Sequence, residues 1–270
     1  MVMKALKTFI YGSVRYTFCR LFRPTSPRIG YYKFFMDHGY TRYPYHYAAK
    51  YFESPPEIYT DNENKLKYVL HKNKKLYFPG SFSDARIQKM YIGLLVEQDS
   101  ESSHKYVDSA EEFRNKILLD IGAAEGFIAL EAVEVARHIY LFECDPKWVE
   151  ALKATFAPWK EKVSIIIKFV SDKNDEKNIT LDCFLKENKH GETLFLKMDI
   201  EGAERNALDG AKGVFSKSGN VEFAVCVYHK KDDMKVISQF LDQYGCIYTP
   251  REGFLYIGHS FRTGVIRGKN

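Results

Sequence analysis

The sequence is poor in the residues that mark several protein classes. Its five cysteines, at 19, 144, 183, 226 and 246, are odd in number and widely scattered over 270 residues. No Cys-x-x-Cys pair or Cys/His cluster occurs, which argues against a zinc site or a disulfide framework and favours a reducing compartment. Long apolar runs are missing as well. In the basic N-terminal stretch the longest uncharged run, Thr8 to Val14, falls far short of the ~20 residues that span a bilayer. Arg15 and Arg20 break any leader-like core and no small-residue cleavage site follows, so no signal peptide is expected.

Acidic residues are nearly absent from the first fifty positions, where Asp37 faces nine Lys/Arg. The other 220 residues hold 31 Lys/Arg and 34 Asp/Glu, so the net charge of +5 originates wholly in the N-terminal segment. The slightly acidic body disfavours a long phosphate track, and nucleic acid is not the expected partner. The first fifty residues also contain 13 of the 41 aromatics. Apolar residues at 3, 6, 10, 14, 17/18 and 21 form one helical stripe with Lys4, Lys7, Arg15 and Arg20 mostly beside or opposite it. The first readings of such a helix are packing on the protein's own body or on a second subunit in a homodimer, then an anionic membrane surface reached through residues 1–23, and last nucleic acid. The expected location is cytoplasmic, with peripheral contact at the inner membrane face as the variant of that reading.

Residues 24–110 contain short apolar stretches broken by prolines. KLKYVLHKNKKLYFP (65–79) predicts a hairpin turning at Lys72-Asn73-Lys74, and ARIQKMYIGLLVEQ (85–98) predicts a helix. From 111 onward apolar strands alternate with helices, the pattern of a mostly parallel sheet covered on both faces. KVSIIIKFV reads as one strand, AERNALDGAKGVFSK as one helix, and CIYTP with FLYIGHS as a closing hairpin. In such a sheet ligands sit at the carboxyl ends of the strands, near the point where strand order reverses.

LLDIGAAEGFIALEA (118–132) is a strand, a glycine turn and a helix, yet the turn lacks the third glycine of a dinucleotide fingerprint. Asp120 and Glu125 flank the place a pyrophosphate would occupy, with Gly122, Ala123 and Gly126 between and beside them. Two unit charges ~4 Å apart interact by about 4 kcal/mol at a surface-like dielectric. A diphosphate is therefore disfavoured, and with it an NAD-dependent oxidoreductase. S-adenosylmethionine, a nucleoside cofactor with a sulfonium and no phosphate, suits the acidic turn. The second strand ends LFECD, placing Glu143 and Cys144 where an acid accepts ribose hydroxyls, and Ser171-Asp172 ends the third strand near an adenine.

LFLKMDIEGAERNALDGA puts Lys197, Asp199 and Glu201 at alternate positions, hence on one side as the fourth strand ends. Glu201 could alternatively cap the next helix. AVCVYHKKDD delivers Tyr228 and His229 to the fifth strand end, where a histidine can take the proton of an alcohol. Gathering of a divalent metal by Asp199, Glu201 and His229 is an alternative that the spacing does not require, and no metal is assigned. His104 and Lys105, just before the core, are candidate acceptor contacts.

These motifs resemble the FkbM-type methyltransferases, a class I S-adenosylmethionine-dependent family. LLDIGAAEGFIALEA, LFECDPKWVEALKATF, ITLDCFL, LFLKMDIEGAERNALDGA and CVYHKKDD occur in that order over about 117–245, and KMDIEGAE is the most specific. The resemblance implies a class I methyltransferase, Rossmann-like α/β fold: a seven-stranded, mostly parallel sheet with an antiparallel last strand. It implies O-methylation, often of a sugar hydroxyl in a polysaccharide or glycolipid, or of a secondary metabolite. Carried over, Asp120, Gly122, Glu143 and Asp172 would bind cofactor, and Lys197, Asp199, Glu201 and His229 would lie at the reaction site. The expected organisation is a methyltransferase domain over 111–270 behind an α+β extension over 1–110 for substrate recognition or dimerisation. The alternatives are a nucleic-acid methyltransferase, although DIEG stands where flipped-base enzymes commonly carry an Asn/Asp-Pro-Pro-aromatic string, and an idle scaffold of the same fold.

Overall fold

The computed structural model describes residues 2–188, 191, 193–216 and 220–270, with side chains from residue 10 onward. The side chains of Met3, Lys4, Leu6 and Lys7 in the N-terminal pattern lie outside the described residues. The chain opens with α1 (Val2–Phe22) and α2 (Arg28–His38), followed by a three-stranded antiparallel sheet of β1 (Tyr59–Thr60), β2 (Lys67–His71) and β3 (Lys74–Phe78). Lys72 and Asn73 both have positive φ, 49° and 67°, as the two-residue turns that match strand twist require. The hairpin thus turns one residue more tightly than Lys72-Asn73-Lys74 suggests. α3 (Asp84–Glu97) starts where the Ser83 side chain accepts from Arg86 N.

Then the alternation begins. β4 (Ile117–Ile121), α4 (Phe127–Ala132), β5 (His138–Phe142), α5 (Val149–Phe156) and β6 (Val163–Ile166) come first, then the short β7 (Phe169–Val170) and β8 (Asn178–Ile179). α6 (Leu181–Glu187), β9 (Leu194–Met198), α7 (Glu204–Asp209), α8 (Lys212–Phe215), β10 (Val221–Cys226) and α9 (Asp233–Gln243) continue it. β11 (Ile247–Pro250), β12 (Leu255–Ile257), β13 (Ser260–Arg262) and β14 (Val265–Lys269) close the chain.

The main sheet runs β11-β14-β10-β9-β4-β5-β6. β10, β9, β4, β5 and β6 are mutually parallel, while β14 is antiparallel to both its neighbours. This is the class I methyltransferase arrangement, and strand order reverses at β4, between β5 and β9. Period-2 side chains sort into two cores. Ile117, Leu119 and Ile121 join α6, α7, α8 and α9 on one face. Leu118, Phe195, Ala224 and Cys226 face the other side, where α4 and α5 pack together with residues from 43 to 107. Residues 43–107 of the extension and one face of the sheet therefore share one continuous core, while α1 and α2 form a small cluster of their own. No helix among the described residues is long and apolar enough to cross a membrane.

Three local expectations fail. β11 does not pair with Leu255–Ile257; it pairs with β14, the C-terminal RTGVIRGKN stretch, and β12 pairs with β13 in a separate hairpin. KVSIIIKFV is two strands, because β5 ends at Phe142 and Glu143 N makes the last bond to Ile166 O, leaving β6 no partner beyond. AERNALDGAKGVFSK breaks after Asp209, at Gly210, the weakest non-proline helix former.

Candidate active site

The site is assembled where β4, β5, β9 and β10 end. Gly122 begins the turn at φ 78°, and a Cβ there would stand 2.0 Å from Asp199 O, so only glycine lets the two strand ends meet. Asp199 N in turn donates to Ile121 O at 3.1 Å. Gly126, also left-handed, starts α4 against Phe156 and Leu152. The Glu143 carboxylate accepts from Ala124 N and Asp145 N, each at 2.8 Å. Four lone-pair sites on two oxygens leave it free to accept further donors.

Asp120 and Lys197 are cross-strand neighbours in the β4–β9 register. Lys197 Nζ lies 2.9 Å from Asp120 Oδ1 and donates to Gly122 O at 2.6 Å. Burial pulls the Lys197 pKa down, but Asp120 and Asp199 outweigh it and hold the ammonium charged, above its ordinary value. Burial pushes the Asp120 carboxyl up, and Lys197 reverses this only in part because one ammonium serves two carboxylates. Lys197 is thereby committed to holding the turn.

Two cavities meet at Gly122, Ala124 and Asp199. The larger, about 440 Å³, is lined by Glu143, Cys144, Trp148, Phe169 and Glu201 among others. The smaller, about 130 Å³, is bounded by Glu97, Gln98, Tyr106, Asp120, Ala123 and Glu125. Burial pushes Glu125 up to about 8, so it is mostly protonated at neutral pH. The charge argument made for the turn therefore needs correction: Asp120 is neutralised by Lys197 and Glu125 by its burial. The acids facing the larger cleft are instead Glu143, Asp145, Asp199 and Glu201 against Lys147 and Lys168, and Lys147 is already paired with Asp145. Ser171 and Asp172 are displaced from this lining. Ser171 Oγ donates to Asp172 Oδ1 at 2.9 Å, while Lys168, Phe169 and Val170 take the place expected of them.

Asp199 is the centre of the arrangement. Oδ2 accepts from Tyr106 Oη at 2.7 Å and Oδ1 from Tyr228 Oη at 3.3 Å. His104 Nε2 is 3.6 Å from Oδ2 and 3.2 Å from Tyr228 Oη, and His229 Nε2 is 3.4 Å from Oδ1. Burial pushes the Asp199 carboxyl up, but His104, Lys197, His229 and the Tyr106 hydrogen bond together hold it below its usual value. His229 Nδ1 stands 2.9 Å from Glu204 Oε1, off the line of a well-formed hydrogen bond but close enough for a strong charge interaction. Burial lowers the His229 pKa; Glu204, Asp199 and Glu201 outweigh it and raise it overall. Two donor trios, His104–Asp199–Cys226 and Asp199–Glu204–His229, each lie within 4.8 Å, so Glu204 stands where the metal alternative had Glu201.

Residues 152–248 match the model of the methyltransferase FkbM domain. That stretch, about a third of the chain, is thus similar to an FkbM methyltransferase domain. Among solved structures the chain resembles a methyltransferase FkbM from Methylobacillus flagellatus at 16% identity and TM-score 0.45, over 69% of this chain and 55% of that one. It thus spans about half the length of that protein. An S-adenosylmethionine-dependent O-methyltransferase from Thermotoga maritima matches at 14% identity and TM-score 0.39, over 82% of this chain and 80% of that one. A putative RNA methyltransferase from Pyrococcus horikoshii matches at 16% and 0.37, over 58% of this chain and 74% of that one. No curated protein matches the sequence.

The site also uses groups that no sequence pattern singled out. Glu204 is fully buried, and its Oε1 accepts from Ile200 N at 3.0 Å and Gly202 N at 3.4 Å. It is Glu204, not Glu201, that holds the loop, while Glu201 adopts φ 54° and its side chain is 90% exposed. The second glutamate of KMDIEGAE was the available signal. Tyr106 arrives from the extension, and Arg262 Nη1 donates to the carbonyls of Tyr228 and His229 at 2.6 and 2.8 Å. Lys105 is not brought in: its Nζ donates to Gln98 O at 3.0 Å and borders a separate pocket with His71 and Glu131.

Proposed function

We propose that this domain transfers the methyl group of S-adenosylmethionine to a hydroxyl oxygen, with a sugar of a polysaccharide or glycolipid as the acceptor class. One observation carries the reading: Asp199 borders the nucleoside-sized cleft and also lies 3.4 Å from His229 Nε2, so one carboxylate joins cofactor side and base. The cleft fits a phosphate-free nucleoside. Phe142, Trp148, Phe169 and Val170 offer apolar walls to adenine, and Glu143 retains lone pairs for ribose hydroxyls. Its acidic excess suits a cation and disfavours a pyrophosphate. Gln98, Glu125 and Asp199 around the smaller recess would receive the amino-acid end. When bound, the cofactor supplies an electrophilic methyl on a sulfonium.

The protein's own residues do the rest. His229 accepts the acceptor hydroxyl proton at Nε2, and the Glu204 carboxylate beside Nδ1 stabilises the imidazolium that results. Tyr106 and Tyr228 hold Asp199 in place by donating to both its oxygens. The sugar class rests on the family resemblance and on the tyrosines that the extension brings near the site.

His229→Ala is expected to lower turnover at least tenfold with cofactor affinity nearly kept; unchanged turnover removes His229 from the chemistry. Because only neutral imidazole can accept a proton, the rate should rise with pH through a midpoint above the ordinary histidine value of about 6.5. Glu204→Gln removes a partner that raises the His229 pKa, so the midpoint should move to lower pH. A midpoint that stays fixed in that variant means another group is the base. Glu143→Ala should weaken cofactor binding about tenfold or more, since hydrogen bonds to a charged group contribute about 1.5–3 kcal/mol. Calorimetric titration measures it, and kcat at saturating cofactor should change little. A labelled-methyl screen over glycans, lipid-linked sugars and RNA tests the acceptor class: label confined to RNA overturns it, and no cofactor binding at all supports the scaffold.

A further inference from the structure

α1 packs on α2 through the side bearing Gly12 and Cys19, which is buried, and around Cys19 a small core forms with Tyr32, Phe34, Phe35 and Tyr256. Among the described side chains, the opposite side of α1 is apolar and, Tyr11 apart, uncovered. Ile10, Val14, Phe18, Leu21 and Phe22 are 46–70% exposed. At 100° per residue they fall within one stripe about a third of the helix circumference wide, the width of a face meant to be buried. The helix therefore does pack on the protein's own body, but through Gly12 and Cys19 and not through this stripe. The charge around it has one sign. Residues 1–36 hold seven Lys/Arg and no Asp or Glu, and Arg15, Arg20, Arg23 and Arg28 are exposed on or beside the helix.

We propose that the outer face of α1 docks on an anionic phospholipid surface, as a peripheral contact with the helix lying in the plane of the headgroups. An apolar stripe with Arg15 at its edge and Arg23 just beyond its end matches such an interface in both respects, since the stripe enters the acyl boundary and the cations meet lipid phosphates. A second copy fits less well. A two-fold contact would bring this acid-free segment against its own equally charged equivalent. Nucleic acid would engage the cations and leave the five apolar side chains in water.

The position matters for the site. α2 carries Tyr31, Tyr32 and Phe35, which pack against Phe261 of β13. The next residue, Arg262, holds the carbonyls of Tyr228 and His229. Docking through α1 thus occurs one packed layer from the acceptor side. The docking does not depend on the methyl-transfer reading.

Co-sedimentation of the full chain with vesicles tests it. Vesicles of phosphatidylcholine with about a third phosphatidylglycerol should bind the protein at least tenfold more tightly than phosphatidylcholine alone, and raised salt should weaken the binding. Phe18→Glu with Leu21→Glu should reduce binding at least tenfold. Both side chains are exposed, so circular dichroism and cofactor affinity should stay unchanged. Equal binding by the double variant, or none by the parent, overturns the proposal. A parent of dimeric mass by light scattering that becomes 31.4 kDa in the double variant overturns it in favour of a second copy. Retention on RNA with no binding to anionic vesicles overturns it in favour of nucleic acid.

Discussion

Asp199→Asn is expected to lower turnover about a hundredfold or more while leaving the protein folded. The amide is isosteric but neutral, and it can accept from Tyr106 or Tyr228 with its oxygen while presenting N–H donors to the other phenol. Each charge-assisted hydrogen bond contributes about 1.5–3 kcal/mol, and ~3 kcal/mol of lost transition-state stabilisation corresponds to about a hundredfold in rate. Asp199 also supplies the negative charge facing His104 and His229, at 3.6 and 3.4 Å, so the substitution weakens both positions at once. kcat at saturating cofactor, with the melting temperature measured alongside, checks the expectation. A loss below tenfold with an intact fold would mean that Asp199 only shapes the cleft.

The second large effect is on stability. Lys197→Met should cost about 3–5 kcal/mol, the usual result of stripping one partner from a buried ion pair. Asp120 is 1% exposed and the apolar replacement leaves its carboxylate with no counter-charge, while the Gly122 carbonyl loses its donor. Asp120→Asn combined with Lys197→Met should recover more than half of the loss, because the uncompensated charge is then gone. Urea unfolding of the parent, both single variants and the double variant closes the cycle. Equal instability of Lys197→Met alone and in combination would show that the lysine acts through packing rather than through Asp120.

Much of the architecture was legible in the chain. ILLDI, IYLFEC and TLFLKMDI are apolar and short, and strands of that kind belong in a parallel sheet covered on both faces. What periodicity could not reveal is pairing between distant segments. The C-terminal VIRGK looks no more like a central strand than FLYIG does, yet it lies between β10 and β11. The third strand stops at Ile166 because its neighbour stops, a condition written in β5 and not in KVSIIIKFV.

The chemistry divides in the same way. A glycine turn, an acid at the second strand end, Asp199 and His229 are local signals, and strand-end placement brings them together. Which acid of DIEGAE turns inward was not local. Glu201 takes a left-handed backbone at φ 54° and stays 90% exposed at the cleft rim, and Glu204, one turn later, fills the space beneath the loop. His104 and Tyr106 lie in a segment without periodicity; only the place of His104 just before the core marked it, and nothing marked Tyr106. They reach Asp199 because residues 43–107 cover the face of the sheet toward which Asp120, Lys197 and Cys226 project.

The sequence by itself determined the parallel sheet, the turn at Gly122 and the charge polarity that leaves the first thirty-six residues without an acid. Those properties follow from side-chain period, glycine geometry and composition, each of which acts over a few residues. Tertiary structure alone decided that Lys197 belongs to the turn and that Glu204 is buried against His229 Nδ1 while Glu201 approaches the ring from solvent. It alone also decided that the extension closes the site and that the apolar face of α1 is left uncovered. Each of these depends on which surfaces meet after the chain has folded back on itself, and burial then changes both the charge state and the partners of the groups it encloses.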